Sequence, residues 1–336
     1  MRCKGKEDIM KALTIEEIAG FLKLMEAEYD VRVPVQLYDG TRSLGNQKEG
    51  PLALKGGRIP LKVTSVFFPQ MERIFTRETG KKIKMAPSGK KPILVVGFTA
   101  EDAQCLEFID KFFSENFRDD LYFQKRDGSV VVVISGKSGP GGEFLKISGG
   151  KCDIELVCDG DRYIVLSYSE KGRAIEKLMN ASCEVKDIEF LKRMSENLPG
   201  DDLKTIQKAS ELIIAEKVPD AFWTEIGDRC IACTSCNYAC PTCTCFEVYD
   251  RVYKDTTVRE RMWDSCQLDG FMREASGHNP MGTEGARTRR RIHHKLAADV
   301  TRWGHITCFL CGRCDDACPT NIGIKNVSRM IVERYS

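Results

Sequence analysis

The chain has 336 residues, with 51 Lys and Arg against 49 Asp and Glu, and 16 cysteines. This length suits two or three domains with real cores, and a net charge of +2 excludes a uniformly basic nucleic-acid binder and an acidic tail protein. The cysteines are too sparse for a disulfide scaffold, yet 11 of the 16 fall between Cys230 and Cys318, which points to metal in a reducing compartment.

In chain order, Thr14–Glu28 reads as a helix. Thr14 is its cap, Glu17 stands three residues on, and apolar residues recur at helical spacing. Val31–Leu37, interrupted by Pro34, reads as an edge strand. Ile93–Gly97 and Val130–Ile134 are β-branched runs expected to form buried strands, with a helical pattern over Ala100–Phe117 between them. Gly136-Lys137-Ser138 resembles the end of a phosphate-binding loop. Val131 stands where that loop needs Gly, however, and Pro140 opposes a helix after Ser138, so a surface glycine loop is expected. Leu156–Cys158 and Tyr163–Ser167 read as a hairpin. From Val185 the sequence turns charged and amphipathic, with Pro199-Gly200 separating two helices. The fold class expected is α+β: a mixed α/β domain over 1–185, a helical linker over 186–222, and a mainly helical domain over 223–336. The longest apolar runs are strand-length, far short of the ~18 residues that span a bilayer. With no targeting segment recognised, the expectation is a soluble cytoplasmic protein whose only membrane contact would come through a partner.

The decisive pattern is duplicated. Cys230, Cys233, Cys236 and Cys240 precede Pro241; Cys308, Cys311, Cys314 and Cys318 precede Pro319. Both runs have the spacing of two-cluster ferredoxins, in which three cysteines hold one [4Fe–4S] cluster and the fourth ligates the other. One cluster is therefore assigned Cys230, Cys233, Cys236 and Cys318, and the second Cys308, Cys311, Cys314 and Cys240. A zinc site, with four ligands, would not explain two identical runs. A radical-SAM reading of Cys236, Cys240 and Cys243 leaves Cys230 and Cys233 unused.

The interval between the runs holds Arg287, Arg289, Arg290, Arg291 and Lys295 and all four histidines, His278, His293, His294 and His305. It reads as a solvated face, a docking surface for an acidic partner, or charge compensation for anionic clusters. Without an aromatic platform, nucleic-acid binding is not expected. Cys243, Cys245 and Cys266, the last expected in a RERMWDSCQ helix, are either buried free thiols or a third iron–sulfur centre lacking one identifiable ligand. Cys3, Cys105, Cys152, Cys158 and Cys183 read as small apolar residues, with a redox-sensing thiol as the alternative.

FWTEIGDRCIACTSCNYACPTCTCFEVYD, WDSC, GHNP, RRIHHK and CFLCGRCDDACPTNIGI resemble the beta (iron–sulfur) subunit of cytoplasmic NAD(P)-linked [NiFe] sulfhydrogenases and equally the A subunit of anaerobic sulfite reductase. The likeness runs more weakly into the amino-terminal part, over roughly residues 55–336. It implies a non-catalytic subunit that relays electrons between a flavin subunit handling NAD(P) and a catalytic redox subunit. That catalytic partner would be a hydrogenase, a sulfite reductase or a heterodisulfide reductase-like enzyme. The alternative is a self-contained flavin or substrate-binding iron–sulfur oxidoreductase.

Overall fold

The computed structural model describes residues 9–87, 89, 91–196 and 200–336; Cys3 and Pro199 lie outside them. The described strands are β1 (Met10–Leu13), β2 (Asp30–Gln36), β3 (Arg42–Gly45), β4 (Met71–Glu78), β5 (Lys84–Met85), β6 (Ile93–Phe98), β7 (Val130–Gly136), β8 (Ile154–Cys158), β9 (Tyr163–Ser167), β10 (Cys183–Val185), β11 (Phe246–Tyr253) and β12 (Thr256–Trp263). They belong to two compact units. The first draws on described residues within 1–67, 88–104 and 122–198, the second on 68–87, 105–121 and 199–336.

The first unit is mixed α/β. Its eight-stranded sheet has the order β10-β1-β9-β8-β7-β6-β2-β3. The β2, β6, β7 and β8 neighbours run parallel, and the other pairs antiparallel. Every residue of β6, β7 and β8 is buried, as parallel strands covered on both faces require. The helix Ile15–Met25 starts on the expected capping box: the Glu17 amide donates to Thr14 Oγ1 at 3.2 Å, and the Thr14 amide donates to Glu17 Oε2 at 2.8 Å. Its Ile18, Phe21, Leu22 and Met25 join the sheet core. The β8–β9 hairpin forms as read. After Ser138 comes only a 3₁₀ turn, Pro140–Gly142.

One strand differs from expectation. β2 is interior, between β6 and β3. Pro34 stands opposite Leu44 of β3, but its backbone polar side faces the other way, where its carbonyl accepts from the Ala53 amide. The β6 pairing has already ended at Arg32, so no ladder amide is demanded at position 34 and the proline is tolerated. Opposite stands Gly97, at φ +104, where the β6 register shifts; a Cβ there would lie 2.4 Å from Pro34 Cγ. Glycine and bulge together make room for an interior proline.

The second unit holds the cysteine runs. Its helices include Asp201–Ile214, Asp220–Asp228, Glu284–His293 and Ile324–Tyr335, and a π turn, His294–Ala298, extends the third. It also contains a four-stranded antiparallel sheet, β11-β12-β4-β5. The RERMW segment is therefore strand, not helix, and Cys266 follows it in a turn. Here pairing on both sides of β12 overrides the helical reading, helped by the β-branched Thr256, Thr257 and Val258. Arg261 of β12 is 4% exposed and ion-paired with Glu72 and Asp119. Its guanidinium lies 5.1–5.4 Å from the rings of Phe68, Phe113 and Phe246.

The helices Asp220–Asp228 and Glu284–His293 meet backbone to backbone. A Cβ on Gly227 would lie 2.3 Å from the Gly285 nitrogen. Gly227→Ala must push the helices apart and is expected to cost about 1–3 kcal/mol. Gly20, exposed in Ile15–Met25 with nothing within 4 Å, is the opposite case, and Gly20→Ala should add about 0.4–1 kcal/mol. Denaturant unfolding of both variants checks the contrast in sign.

Candidate iron–sulfur centres

The two cysteine runs adopt one backbone pattern. Ala232 and Thr234 in the first have φ +52 and +64. Leu310 and Gly312, at the matching places in the second, have φ +60 and +77. Short helices, Ser235–Tyr238 and Arg313–Asp316, follow each loop. Left-handed residues next to right-handed ones turn successive amides inward and form concavities that bind anions and iron–sulfur groups. Three of the four carry a Cβ, at roughly 1–2 kcal/mol each. This strained curl fits an anionic cluster held by backbone amides and thiolates.

Each loop bounds a cavity. One encloses about 370 Å³, including space open to solvent, and carries Cys230, Cys233, Cys236 and Cys318 in its wall. The other, about 390 Å³, is lined by Cys308, Cys311, Cys314 and Cys240. Three cysteines of each run thus share a cavity with the fourth of the other. Buried Cys105 also lines the second cavity, a neighbour that its isolated place in the sequence did not signal. Cys152, Cys158 and Cys183 lie in the first unit. No three metal-binding side chains among the described residues converge on a single-ion site. A cluster asks for something different, since each of its irons takes its own thiolate.

The fourth cysteines are held by hydrogen bonds. Lys295 Nζ donates to Thr242 Oγ1 at 2.7 Å, and the Thr242 hydroxyl donates to the Thr307 carbonyl at 3.0 Å. Thr242 Oγ1 also stands 3.4 Å from Cys240 Sγ. Thr307 in turn donates to Asp299, which pairs with His294 at 3.3 Å. This network joins the Cys240 segment to the residue before Cys308. At the other cavity, the Ile322 amide donates to Cys318 Sγ at 3.4 Å, and Thr320 Oγ1 lies 3.5 Å away.

Burial and charge set the thiols apart. Burial pushes Cys236 up to about 11 and Cys308 up to about 12, and raises Cys314 well above its ordinary value. At Cys318 burial acts upward too, but the hydrogen bonds from Thr320 and Ile322 outweigh it and lower the pKa. Of the basic run, Arg287, Arg291 and Lys295 are buried, while Arg289 and Arg290 are exposed. The four-residue spacing of the buried three put them on one helical face and was the signal available in the sequence. His278 and His305 are exposed, and His293 and His294 half-buried.

Cys243, Cys245 and Cys266 also come together. Cys245 interacts with both other sulfurs, which raises its pKa, and its hydrogen bond to Cys266 lowers that of Cys266. Asn237 Nδ2 donates to Cys266 Sγ at 3.2 Å. Gln267 Oε1 accepts from Cys230 Sγ at 3.7 Å, and Gln267 Nε2 donates to the Arg287 carbonyl at 2.8 Å, tying this segment to the first loop and the Glu284–His293 helix.

The 4Fe-4S dicluster domain family matches residues 229–322. The sulfhydrogenase 2 subunit beta of Pyrococcus furiosus is 26% identical over 290 residues, covering 81% of this chain and 83% of that protein. No solved structure matches the chain. The chain is thus similar over most of its length to the beta subunit of a sulfhydrogenase, and the match over 229–322 to a 4Fe-4S dicluster domain supports [4Fe–4S] clusters.

Proposed function

We propose that this chain is the iron–sulfur relay subunit of a cytoplasmic, hydrogenase-type oxidoreductase. It would pass single electrons between a flavin subunit that handles NAD(P) and a catalytic redox subunit. The observation that carries this reading is the paired cavities, each walled by four cysteines drawn from both runs. Bound there, [4Fe–4S] clusters would supply one-electron transfer at potentials set by charge, hydrogen bonds and burial. Four thiolates per cavity leave no ligand position for a substrate. The relay is assigned to residues 223–336, which lie within the second unit. The first cavity reaches the surface at exposed Cys233 and at Ile231, 64% exposed, so electrons would enter or leave there. Among the described residues no helix is long and apolar enough to cross a membrane. The relative's name, a sulfhydrogenase beta subunit, supports a hetero-oligomer. A hydrogenase, a sulfite reductase and a heterodisulfide reductase-like enzyme all fit as the terminal partner.

The flavin-free chain alone is expected to show no NAD(P)H-to-dye turnover and to gain it when a flavin subunit is added. Robust turnover by the isolated chain would favour the self-contained oxidoreductase instead.

The ligand sets are crossed: Cys230, Cys233, Cys236 and Cys318 hold one cluster, and Cys308, Cys311, Cys314 and Cys240 the other. Cys318→Ser should therefore damage the cluster of the Cys230 loop, and Cys240→Ser that of the Cys308 loop. Paramagnetic resonance of the reduced variants reads which signal is lost. Loss confined to the mutated run's own loop would refute the crossing.

The thiols of Cys243, Cys245 and Cys266 support a third centre with one further ligand. Two clusters give about 8 iron atoms per chain and three about 12. An iron content near 8, unaltered by Cys266→Ala, would retire the third centre.

A further inference from the structure

One side chain lines both cavities. Arg291 stands in the wall of the Cys230 cavity and in that of the Cys308 cavity. It is 4% exposed. Its Nη2 donates to the Ile322 carbonyl at 3.1 Å, and its Nε has no hydrogen-bond partner among the described residues. A buried guanidinium with an idle donor is costly unless negative charge meets it. Burial acts to lower its pKa, but the sulfurs of Cys236, Cys314 and Cys266 reverse this, and Cys314 takes a hydrogen bond from it. Those sulfurs come from both runs and from the thiol trio.

We propose that Arg291 is a potential-setting residue shared by both clusters, a single buried cation that raises their two reduction potentials together. This rests on the two-cluster reading above. The effect is electrostatic. Reduction adds one electron to a site already rich in thiolate charge, and a fixed positive charge beside it stabilises the reduced form in a poorly screened interior. The planar fork of Arg reaches in two directions at once, whereas an ammonium is a compact point charge. Lys295, one helical turn on and equally buried, is a one-sided counterpart. Its Nζ donates to the hydroxyl of Thr242, which lines the second cavity beside Cys240, and Cys240 and Cys308, both of that cavity, act on its charge.

The test is a redox titration of the full chain, followed by paramagnetic resonance. The two signals are assigned beforehand through Cys240→Ser and Cys318→Ser. In Arg291→Gln both midpoints should fall, each by about tenfold in the reduction equilibrium, or about 59 mV for one electron. In Lys295→Met only the cluster of the Cys308 loop should fall. Should Gln impair loading, Arg291→Lys serves instead: a point charge attends one cavity, so one midpoint holds and the other drops. An unmoved midpoint for either cluster in loaded Arg291→Gln would overturn the proposal, as would two unmoved midpoints in Arg291→Lys. Iron content separates this from the underlying reading. A wild-type chain that binds no clusters under reconstitution fails the two-cluster assignment, while loaded variants with wild-type midpoints fail only the role of Arg291.

Discussion

Thiolates gathered in a protein interior repel one another and lose their hydration, so a fold that collects them must bring positive charge inside as well. Taking each ion out of water costs several kcal/mol before any partner is found. Here the counter-charge comes from one helical face, on which Arg291 and Lys295 stand a turn apart. Both are at most 6% exposed and acted on by run cysteines, while Arg287 on the same face is taken up by Glu284 and Asp269. Much of the second unit serves to keep that face at the cavities. The backbone contact of Gly227 with Gly285 lets the helix lie close against Asp220–Asp228. The π turn at His294–Ala298 continues it, and within that turn Lys295 reaches the Thr242 hydroxyl. Such turns are uncommon and gather at functional sites.

The loops themselves hold stored strain. Ala232, Thr234 and Leu310 occupy a backbone region that glycine enters without penalty, yet only the fourth matching place carries glycine, at 312. Amides turned inward by this curl are placed to donate to an anionic guest, whose binding offsets what the conformation costs. Strain and buried charge answer the same need from backbone and side chain.

The sequence already carried the cysteine spacing, the capping box at Thr14 and Glu17, the buried strands at Ile93 and Val130, and the β8–β9 hairpin, because each depends on residues near one another in the chain. The interior place of β2 was hidden, because Pro34 is permitted there only by Gly97, some sixty residues away. The strand at Arg259–Trp263 was hidden for a related reason. Its partners are β11 and the distant β4, and the segment alone has charged residues at spacings that suit a helix. The basic run was legible in part: its four-residue rhythm singles out the inward face, but only the fold shows that Arg291 stands in the walls of both cavities.

The proposed crossed ligation would also bear on how the chain holds its shape. Under that ligation a cluster joins Cys236 to Cys318, 82 residues apart, and another joins Cys240 to Cys308 across most of the same stretch. Metal then acts as a covalent staple does, by removing conformations from the unfolded ensemble. A single closure of this length is worth about 4–5 kcal/mol in the chain-entropy treatment of cross-links, and the overlap of the two loops makes the sum smaller than twice that. Cys230, Cys236, Cys308 and Cys318 pack against the apolar cluster of Ile206, Trp223, Ile292 and Val327, so the staple fastens the core of the unit and not merely its rim. Under that ligation iron capture and folding would be one cooperative event, in which the cluster offsets both the strain of the loops and the burial of Arg291.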